Sequence, residues 1–126
     1  MRSALADADL APRDVGHVNA HGTGTRLNDL AEARALRSVF RAPPPVTSLK
    51  GAIGHAVGAA GAIEAAATVL TLQHQVIPPT VNHEDTDLDI DLDVVAKAAR
   101  PTRVEAAVSA SYGFGGQNAA LVFVRC

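Results

Sequence analysis

Residues 61 to 72 are apolar on nearly every side and predict a buried helix. Ile63, Ala66 and Leu70 follow the spacing of one helix face, and the positions opposite them are apolar as well. A helix without a polar face is expected inside a larger structure, because each of its faces needs to be covered. Glu64 is its single charged residue, and a charge in such a place is costly unless it is paired or used.

Shorter apolar runs predict the rest of the secondary structure. Helices are expected at residues 4–10 and 30–40, and strands at 15–20, 46–49, 106–111 and 119–124. Asn28 or Asp29 is expected to cap the second of these helices. Between Thr86 and Asp93, aspartate alternates with leucine or isoleucine, which predicts either an edge strand or an exposed loop. No linker divides the chain, so residues 1–126 are expected to form one domain.

Composition narrows the classes of function. The chain has 126 residues, 48% of them hydrophobic, which suffices for one domain with a modest core. A net charge of −2 and 3% aromatic residues argue against nucleic acid as a partner. No apolar run is long enough to span a membrane, and the acidic start is unlike a signal peptide, so a cytoplasmic location is expected. The single cysteine, Cys126, excludes an internal disulfide and a multi-cysteine metal site.

Two histidines stand at similar places in the predicted fold. His21 follows the first strand, His55 follows the second, and each has a glycine beside it before a helix begins. Either one alone is typical of a hydrogen-bonded core residue, but ligands bind at strand ends in α/β sheets, which favours a shared site. A metal is not expected, because His17 and His21 lie on a strand that does not bring them together, and no carboxylate accompanies them.

Lys50 and Phe114 each stand next to glycines. Lys50 precedes its glycines, whereas a phosphate-binding loop needs the lysine after them, so a nucleotide site is not favoured. Glu64 is the expected ion-pair partner of Lys50, since pairing makes both charges tolerable inside a protein. Phe114 lies among Gly113, Gly115 and Gly116, a setting that suits either a mobile gate or an ordinary core residue.

Several segments in a fixed order resemble the β-ketoacyl synthase family. Residues 18–25 read Val-Asn-Ala-His-Gly-Thr-Gly-Thr and, with Glu32 downstream, resemble the family's first histidine motif. Residues 50–64 resemble its lysine and second histidine motif. Residues 78–82 and 113–118 resemble its remaining C-terminal landmarks. The resemblance covers nearly the whole chain.

The resemblance implies an α/β, thiolase-like fold, of which this chain forms only the C-terminal half. That half has a mixed β-sheet flanked by helices and a buried central helix. The implied activity is decarboxylative Claisen condensation of malonyl-carrier-protein units with an acyl thioester, in fatty acid or polyketide synthesis. The family's nucleophilic cysteine lies in the N-terminal half, which is absent here, and no family motif surrounds Cys126. The isolated chain is therefore expected to be inactive.

The resemblance also assigns the polar residues of the site. His21 and His55 would hydrogen-bond the malonyl thioester carbonyl and promote decarboxylation. Lys50 would be the active-site lysine, supported by Glu64. No metal and no cofactor of its own is implied.

The carrier and the gate are assigned in the same way. The hydroxyls of Thr23 and Thr25 would hold the phosphopantetheine arm of an acyl carrier protein. Phe114 would be the gating residue whose backbone amide completes the oxyanion hole. Ala110 and Tyr112 depart from the asparagine and phenylalanine that are more usual before this glycine-rich turn.

The implied partners are an acyl carrier protein and an N-terminal ketosynthase half or a full ketosynthase-like subunit, in a homo- or hetero-oligomer. Without such a partner, one face of the helix at 61–72 is expected to be exposed. Two alternatives remain open: a non-catalytic partner of the chain-length-factor type, and a carrier-protein-binding module. Retention of both His21 and His55 favours the catalytic interpretation, because a structural partner has no need of paired donors.

Overall fold

The computed structural model describes all residues from 1 to 126. Four helices are present: α1 (Arg2–Asp7), α2 (Arg26–Val39), α3 (Lys50–Ile53) and α4 (Ala60–His74). Six strands accompany them: β1 (His17–Asn19), β2 (Val46–Thr47), β3 (Val76–Ile77), β4 (Arg100–Pro101), β5 (Ala106–Tyr112) and β6 (Asn118–Val124). None of the helices is both long and apolar enough to cross a membrane.

The main sheet has four strands in the order β2-β1-β5-β6. Strand β1 runs parallel to both β2 and β5, whereas β6 is antiparallel to β5. The sheet is therefore mixed and flanked by helices, as expected. Strands β3 and β4 form a separate antiparallel pair. Because β1, β2 and β5 are parallel neighbours, the loops that follow them leave from one edge of the sheet.

Apolar side chains from α1 and α2 cover one face of this sheet. Leu5 of α1 and Leu36 of α2 pack in one buried cluster with Val18 of β1 and Val108 of β5. Side chains alternate between the two faces of a strand, so Asn19 of β1 faces the other way. Its amide donates hydrogen bonds to the Glu64 carbonyl oxygen and to Thr68 Oγ1, at 3.0 and 3.1 Å. Helix α4 therefore lies against the opposite face.

Helix α4 turns its polar side inward and an apolar side outward. Glu64, Thr68 and Thr71 are buried, whereas Val69 is 46% and Leu70 51% exposed. The apolar run predicted this helix almost to its ends. Within this chain, however, only one face is covered, as expected for a half without its partner. An exposed apolar face of this kind is typical of a surface that a partner covers.

Three expectations about the secondary structure were wrong in detail. Helix α2 begins at Arg26 with Thr25 in the N-cap position, so neither Asn28 nor Asp29 is its cap. The Asn28 side chain instead donates to Asp29 and Glu32 within the first turn. Helix α1 begins and ends earlier than residues 4–10. Strand β2 is only two residues long, because the chain leaves the sheet at Ser48.

The acidic segment between residues 86 and 93 is an exposed loop, not an edge strand. Two arginines hold its C-terminal part. Arg37 donates to Asp91 at 2.8 Å, and Arg100 forms a two-pronged pair with Asp93 at 2.5 and 2.8 Å. This hydrogen bonding with Arg100 lowers the pKa of Asp93. The alternating aspartates and leucines therefore belong to a solvated loop, which hydrogen bonds hold at Asp91 and Asp93.

His17 is a buried histidine with a low pKa. Its ring is fully buried in β1, and burial lowers the pKa of His17 from 6.5 to about 4. The unfolded chain binds a proton to this ring between these two pH values and the folded chain does not. Stability is therefore fully present above pH 6.5 and falls as the pH drops through about 4, by about 3 kcal/mol for this residue.

His17→Phe is expected to remove that part of the acid sensitivity. Urea unfolding at neutral pH and near pH 4 measures the difference. The matched control is His74→Phe, the same change at an exposed histidine of α4. An unchanged difference in His17→Phe would mean that this ring is charged, or accessible, in the folded state.

Candidate active site

His21 and His55 come together at the edge where the parallel strands end. Their ring centroids are 5.2 Å apart and the ring planes are nearly perpendicular, at 81°. The Tyr112 ring stands on the other side, 5.8 Å from that of His21. His21 is buried, and burial followed by the nearby charge of Lys50 lowers its pKa. At neutral pH the His21 ring is therefore neutral and can donate one hydrogen bond.

A backbone contact fixes which nitrogen of His55 carries the proton. The N–H of Val57 donates to His55 Nδ1 at 3.1 Å, so in the neutral ring the proton lies on Nε2. Val57 has φ of +47°, a left-handed conformation that is strained for a β-branched residue. Such strain persists only where the surroundings impose it, and here it accompanies the contact that orients the ring. His55 thus presents an Nε2–H donor.

Glu32 anchors the loop that carries His21. Its two carboxylate oxygens accept the backbone N–H groups of His21 and Gly22, at 2.9 and 2.8 Å. Burial raises the pKa of this carboxyl, and the two backbone hydrogen bonds act in the opposite direction. The sequence identified Glu32 only as part of a motif and missed this role. The signal available was an acid among the buried positions of α2, next to Ala33 and Leu36.

Lys50 and Glu64 form the buried ion pair that the sequence predicted. Lys50 Nζ contacts Glu64 Oε1, and only 4% and 1% of the two side chains are exposed. Ser111 Oγ lies 3.4 Å from the second oxygen, Oε2. Because Asn19 also holds the Glu64 backbone, this residue connects three parts of the sheet edge. The pair places an ammonium and a carboxylate near His21, and the two charges shift the pKa of that ring in opposite directions.

The remaining site residues lie at the surface of the chain. Thr23 and Thr25 follow His21, and their hydroxyl oxygens are 2.9 Å apart in a shared hydrogen bond. Phe114 follows β5 and its side chain is fully exposed, so the interpretation as an ordinary core residue is wrong for this chain. Gly115 and Gly116 after it have φ of +73° and +81°, a conformation that favours glycine. No group of three or more histidine, cysteine or acidic residues is placed to hold a metal ion.

Gly51 next to Lys50 has no room for a side chain. It lies within α3, where alanine would ordinarily be the better residue, but a Cβ there would overlap the Val81 carbonyl oxygen. The Asn82 side chain also donates to the Gly51 carbonyl at 2.9 Å. The segment from Thr80 to Asn82 therefore packs directly on the backbone that carries the lysine.

Gly51→Ala is expected to destabilise the chain by about 1–3 kcal/mol, the usual cost of overpacking a close contact. Gly58→Ala is the matched control, because nothing lies within 4 Å of a Cβ at that position. Thermal unfolding of the two variants measures the difference. Equal stability of both would show that the 80–82 segment moves aside freely.

Comparison with known proteins finds relatives of this chain among the β-ketoacyl synthases. The family described as "Beta-ketoacyl synthase, C-terminal domain" matches residues 1–84. The 3-oxoacyl-[acyl-carrier-protein] synthase 2 of Mycobacterium bovis is 51% identical over 123 residues, which are 97% of this chain and 30% of that protein. The chain thus spans about a third of the length of the curated relatives it matches.

Solved structures of similar proteins have the same fold. The ishigamide ketosynthase/chain length factor superposes with a TM-score of 0.97 at 40% identity, covering 99% of this chain and 31% of that one. A type II PKS acyl-carrier protein in complex with its ketosynthase, AntDE:AntF, gives 0.95 at 34% identity, with 99% and 31% covered. The mixed sheet and its flanking helices therefore have direct counterparts in known ketosynthases.

Proposed function

This chain belongs to the β-ketoacyl synthase family, as a thiolase-like C-terminal domain, and from that premise we propose that it supplies the histidines and the lysine for decarboxylative condensation. The substrates would be a malonyl thioester on a carrier protein and an acyl thioester. The observation that carries the proposal is the pairing of His21 with His55, 5.2 Å apart, at the strand ends. Two imidazole rings at that spacing can each donate an N–H to one oxygen.

The proposed chemistry follows from those donors. The malonyl thioester carbonyl oxygen accepts a hydrogen bond from each ring, and the bond to the malonyl carboxylate breaks. Carbon dioxide leaves, and the electron pair of that bond forms an enolate whose negative oxygen lies at the two donors. Donors held in place where charge develops lower the barrier. The enolate carbon then attacks an acyl thioester, and the thiolate of that ester leaves. The cysteine that would carry this acyl group belongs to a segment outside this chain.

Lys50 is proposed to act through its charge. The lysine is held against Glu64 and contributes to the lowered pKa of His21. Burial is the main cause of the lowered pKa of His21; the Lys50 charge adds to it, and the Glu64 carboxylate acts against it. A neutral His21 leaves the developing enolate as the only new charge. Glu64 is the supporting residue that makes a buried ammonium tolerable.

The surface residues are proposed to serve the carrier. Thr23 and Thr25 offer hydroxyls to the phosphopantetheine arm, and Phe114 would gate the entrance and offer its backbone amide. Thr25 and Phe114 are exposed, and Thr23 is half-buried two residues after His21, which supports these roles. A similar structure contains an acyl-carrier protein in complex with its ketosynthase. Loss of carrier-protein binding in Thr23→Ala and Thr25→Ala would support the assignment, and unchanged binding would contradict it.

The outward face of α4 is proposed to be covered by an N-terminal ketosynthase segment, in an oligomeric and cytoplasmic enzyme. Ile63, Val69 and Leu70 form an exposed apolar stripe on that face. The isolated chain is expected to self-associate through it. Light scattering should therefore detect dimers or larger species. Leu70→Lys should reduce them, while Leu27→Lys, at an exposed site on α2, should not. A monodisperse monomer at high concentration would contradict this prediction.

The deciding experiment is the release of labelled carbon dioxide from malonyl carrier protein. The chain alone is expected to be inactive, because His55 is exposed to water and no activated thiol is present. Mixed with the N-terminal segment of a family relative, it should release carbon dioxide, and condensation should follow where that segment brings its cysteine. A stable but inactive assembly would favour the non-catalytic alternative, a partner of the chain-length-factor type.

A further inference from the structure

Ser48 connects the two loops that carry the histidines. It follows β2 directly, and its side chain is buried. Its hydroxyl donates to the Gly22 carbonyl oxygen at 2.7 Å, next to His21. Ser48 Oγ also accepts the backbone N–H of Lys50 at 3.3 Å, at the start of the segment that leads to His55. One side chain therefore bonds to the backbone of both loops.

The contact between Ser48 and Gly22 is also sterically tight. Gly22 has φ of +39°, in the left-handed region, and a Cβ there would lie 2.5 Å from Ser48 Cβ and 2.7 Å from Ser48 Oγ. Glycine is needed at this position for both reasons. The side chain of Ser48 thus fills the space that Gly22 leaves, and the His21 loop rests on it.

A third segment, residues 80–82, also hydrogen-bonds to Ser48. The N–H of Ser48 donates to Thr80 Oγ1 at 3.1 Å. Two residues further on, Asn82 donates to Gly51, where the 80–82 segment packs on the backbone beside Lys50. Ser48 is therefore the point at which the first histidine loop, the lysine segment and the 80–82 segment meet.

We propose that Ser48 is a positioning residue that sets the separation of His21 and His55. The inference rests on the proposed function, in which both rings must reach one carbonyl oxygen. Glu32 holds the His21 loop by its two backbone N–H groups, and Ser48 holds it by the Gly22 carbonyl. Removing the hydroxyl leaves β1 paired with β2 as far as the bond from the Ala20 N–H to the Thr47 carbonyl oxygen. Beyond that point the Gly22 carbonyl loses its bond to the lysine segment, so the two rings can separate.

The expected effect appears in kcat. A misplacement of about 1 Å in a catalytic group can reduce the rate about 10²-fold. In the assembled enzyme, Ser48→Ala is expected to reduce kcat for carbon dioxide release by about 10- to 10²-fold with KM nearly unchanged, because the buried Ser48 hydroxyl is already engaged by the backbone of Gly22 and Lys50. Ser38→Ala is the matched control, since Ser38 is an exposed serine on α2 that contacts only its own helix through its side chain.

A spectroscopic measurement separates positioning from a general loss of folding. Nuclear Overhauser cross-peaks between the ring protons of His21 and His55 report their separation in the folded 126-residue chain. Ser48→Ala should weaken them relative to cross-peaks within each ring, and Ser38→Ala should leave them unchanged. Thr80→Val, which removes the acceptor behind Ser48, should weaken them as well, and it provides the test if Ser48→Ala fails to fold.

The two proposals can fail separately. An inactive wild-type assembly would contradict the proposed function. The cross-peaks between the His21 and His55 rings would still test the role of Ser48. An active assembly in which Ser48→Ala keeps the wild-type kcat and cross-peak intensities would overturn the positioning role and leave the function in place.

Discussion

Glu64→Ala is expected to lower the free energy of unfolding by about 3–5 kcal/mol, because it leaves the buried ammonium of Lys50 without a counter-charge. Both side chains are almost fully buried, so water cannot replace the missing carboxylate. The Ser111 hydroxyl would also lose a partner. Urea unfolding of the variant measures the loss, and Asp91→Ala offers the comparison. Asp91 pairs with Arg37 at the surface, where removal of a partner has little effect.

The double variant Lys50→Met with Glu64→Leu tests whether the loss arises from the pair. Apolar side chains of similar size need no counter-charge, so the double variant should lose much less than Glu64→Ala alone. The difference between the double change and the sum of the single changes is the coupling between the residues. Equal and additive losses would show that Lys50 and Glu64 do not depend on each other.

His21→Ala and His55→Ala are each expected to reduce the rate of decarboxylation by about 10²–10³, the usual loss for one donor to a developing oxyanion. Each change removes one of the two rings proposed to donate to the same oxygen, while the ion pair of Lys50 and Glu64 stays in place. The measurement is labelled carbon dioxide release from malonyl carrier protein by the assembly of this chain with an N-terminal ketosynthase segment.

His74→Ala is the matched control for the two histidine variants. His74 is exposed at the end of α4, away from the strand ends, and its removal should leave the rate unchanged. Full activity in both His21→Ala and His55→Ala would remove the catalytic role and leave only a structural one for this chain.

The sequence predicted those features of the fold that depend on short-range pattern. Helix α4 was anticipated from one apolar run, because its apolar residues follow the spacing of helix faces. The pairing of Lys50 with Glu64 followed from the cost of two isolated charges in apolar surroundings. The order β2-β1-β5-β6 could not be read from the chain, because strand pairing depends on contacts between distant segments.

The side chains of the candidate site were named from the sequence, but the contacts that orient them were not. His21 and His55 were identified from their places after strands, and the structure brings their rings together. The contacts that orient them use backbone groups: Glu32 on the His21 loop and the Val57 N–H on His55. Backbone N–H groups look the same at every residue, so the sequence carries no mark of which side chain they bind. The N-cap of α2 was misplaced for a similar reason, since Asn28 found partners in its own first turn.

Strand β1 illustrates how this topology constrains the order of folding. It lies between β2, which follows soon after it in the chain, and β5, which is separated from it by most of the sequence. During synthesis, β1 can pair on one side early but must wait for β5 on the other. A nascent chain in that interval exposes the free edge of β1 and the apolar residues that β5 will later cover. Such exposure favours aggregation. Ribosome pausing between α4 and β5 would therefore reduce the yield of folded protein more than pausing after β6.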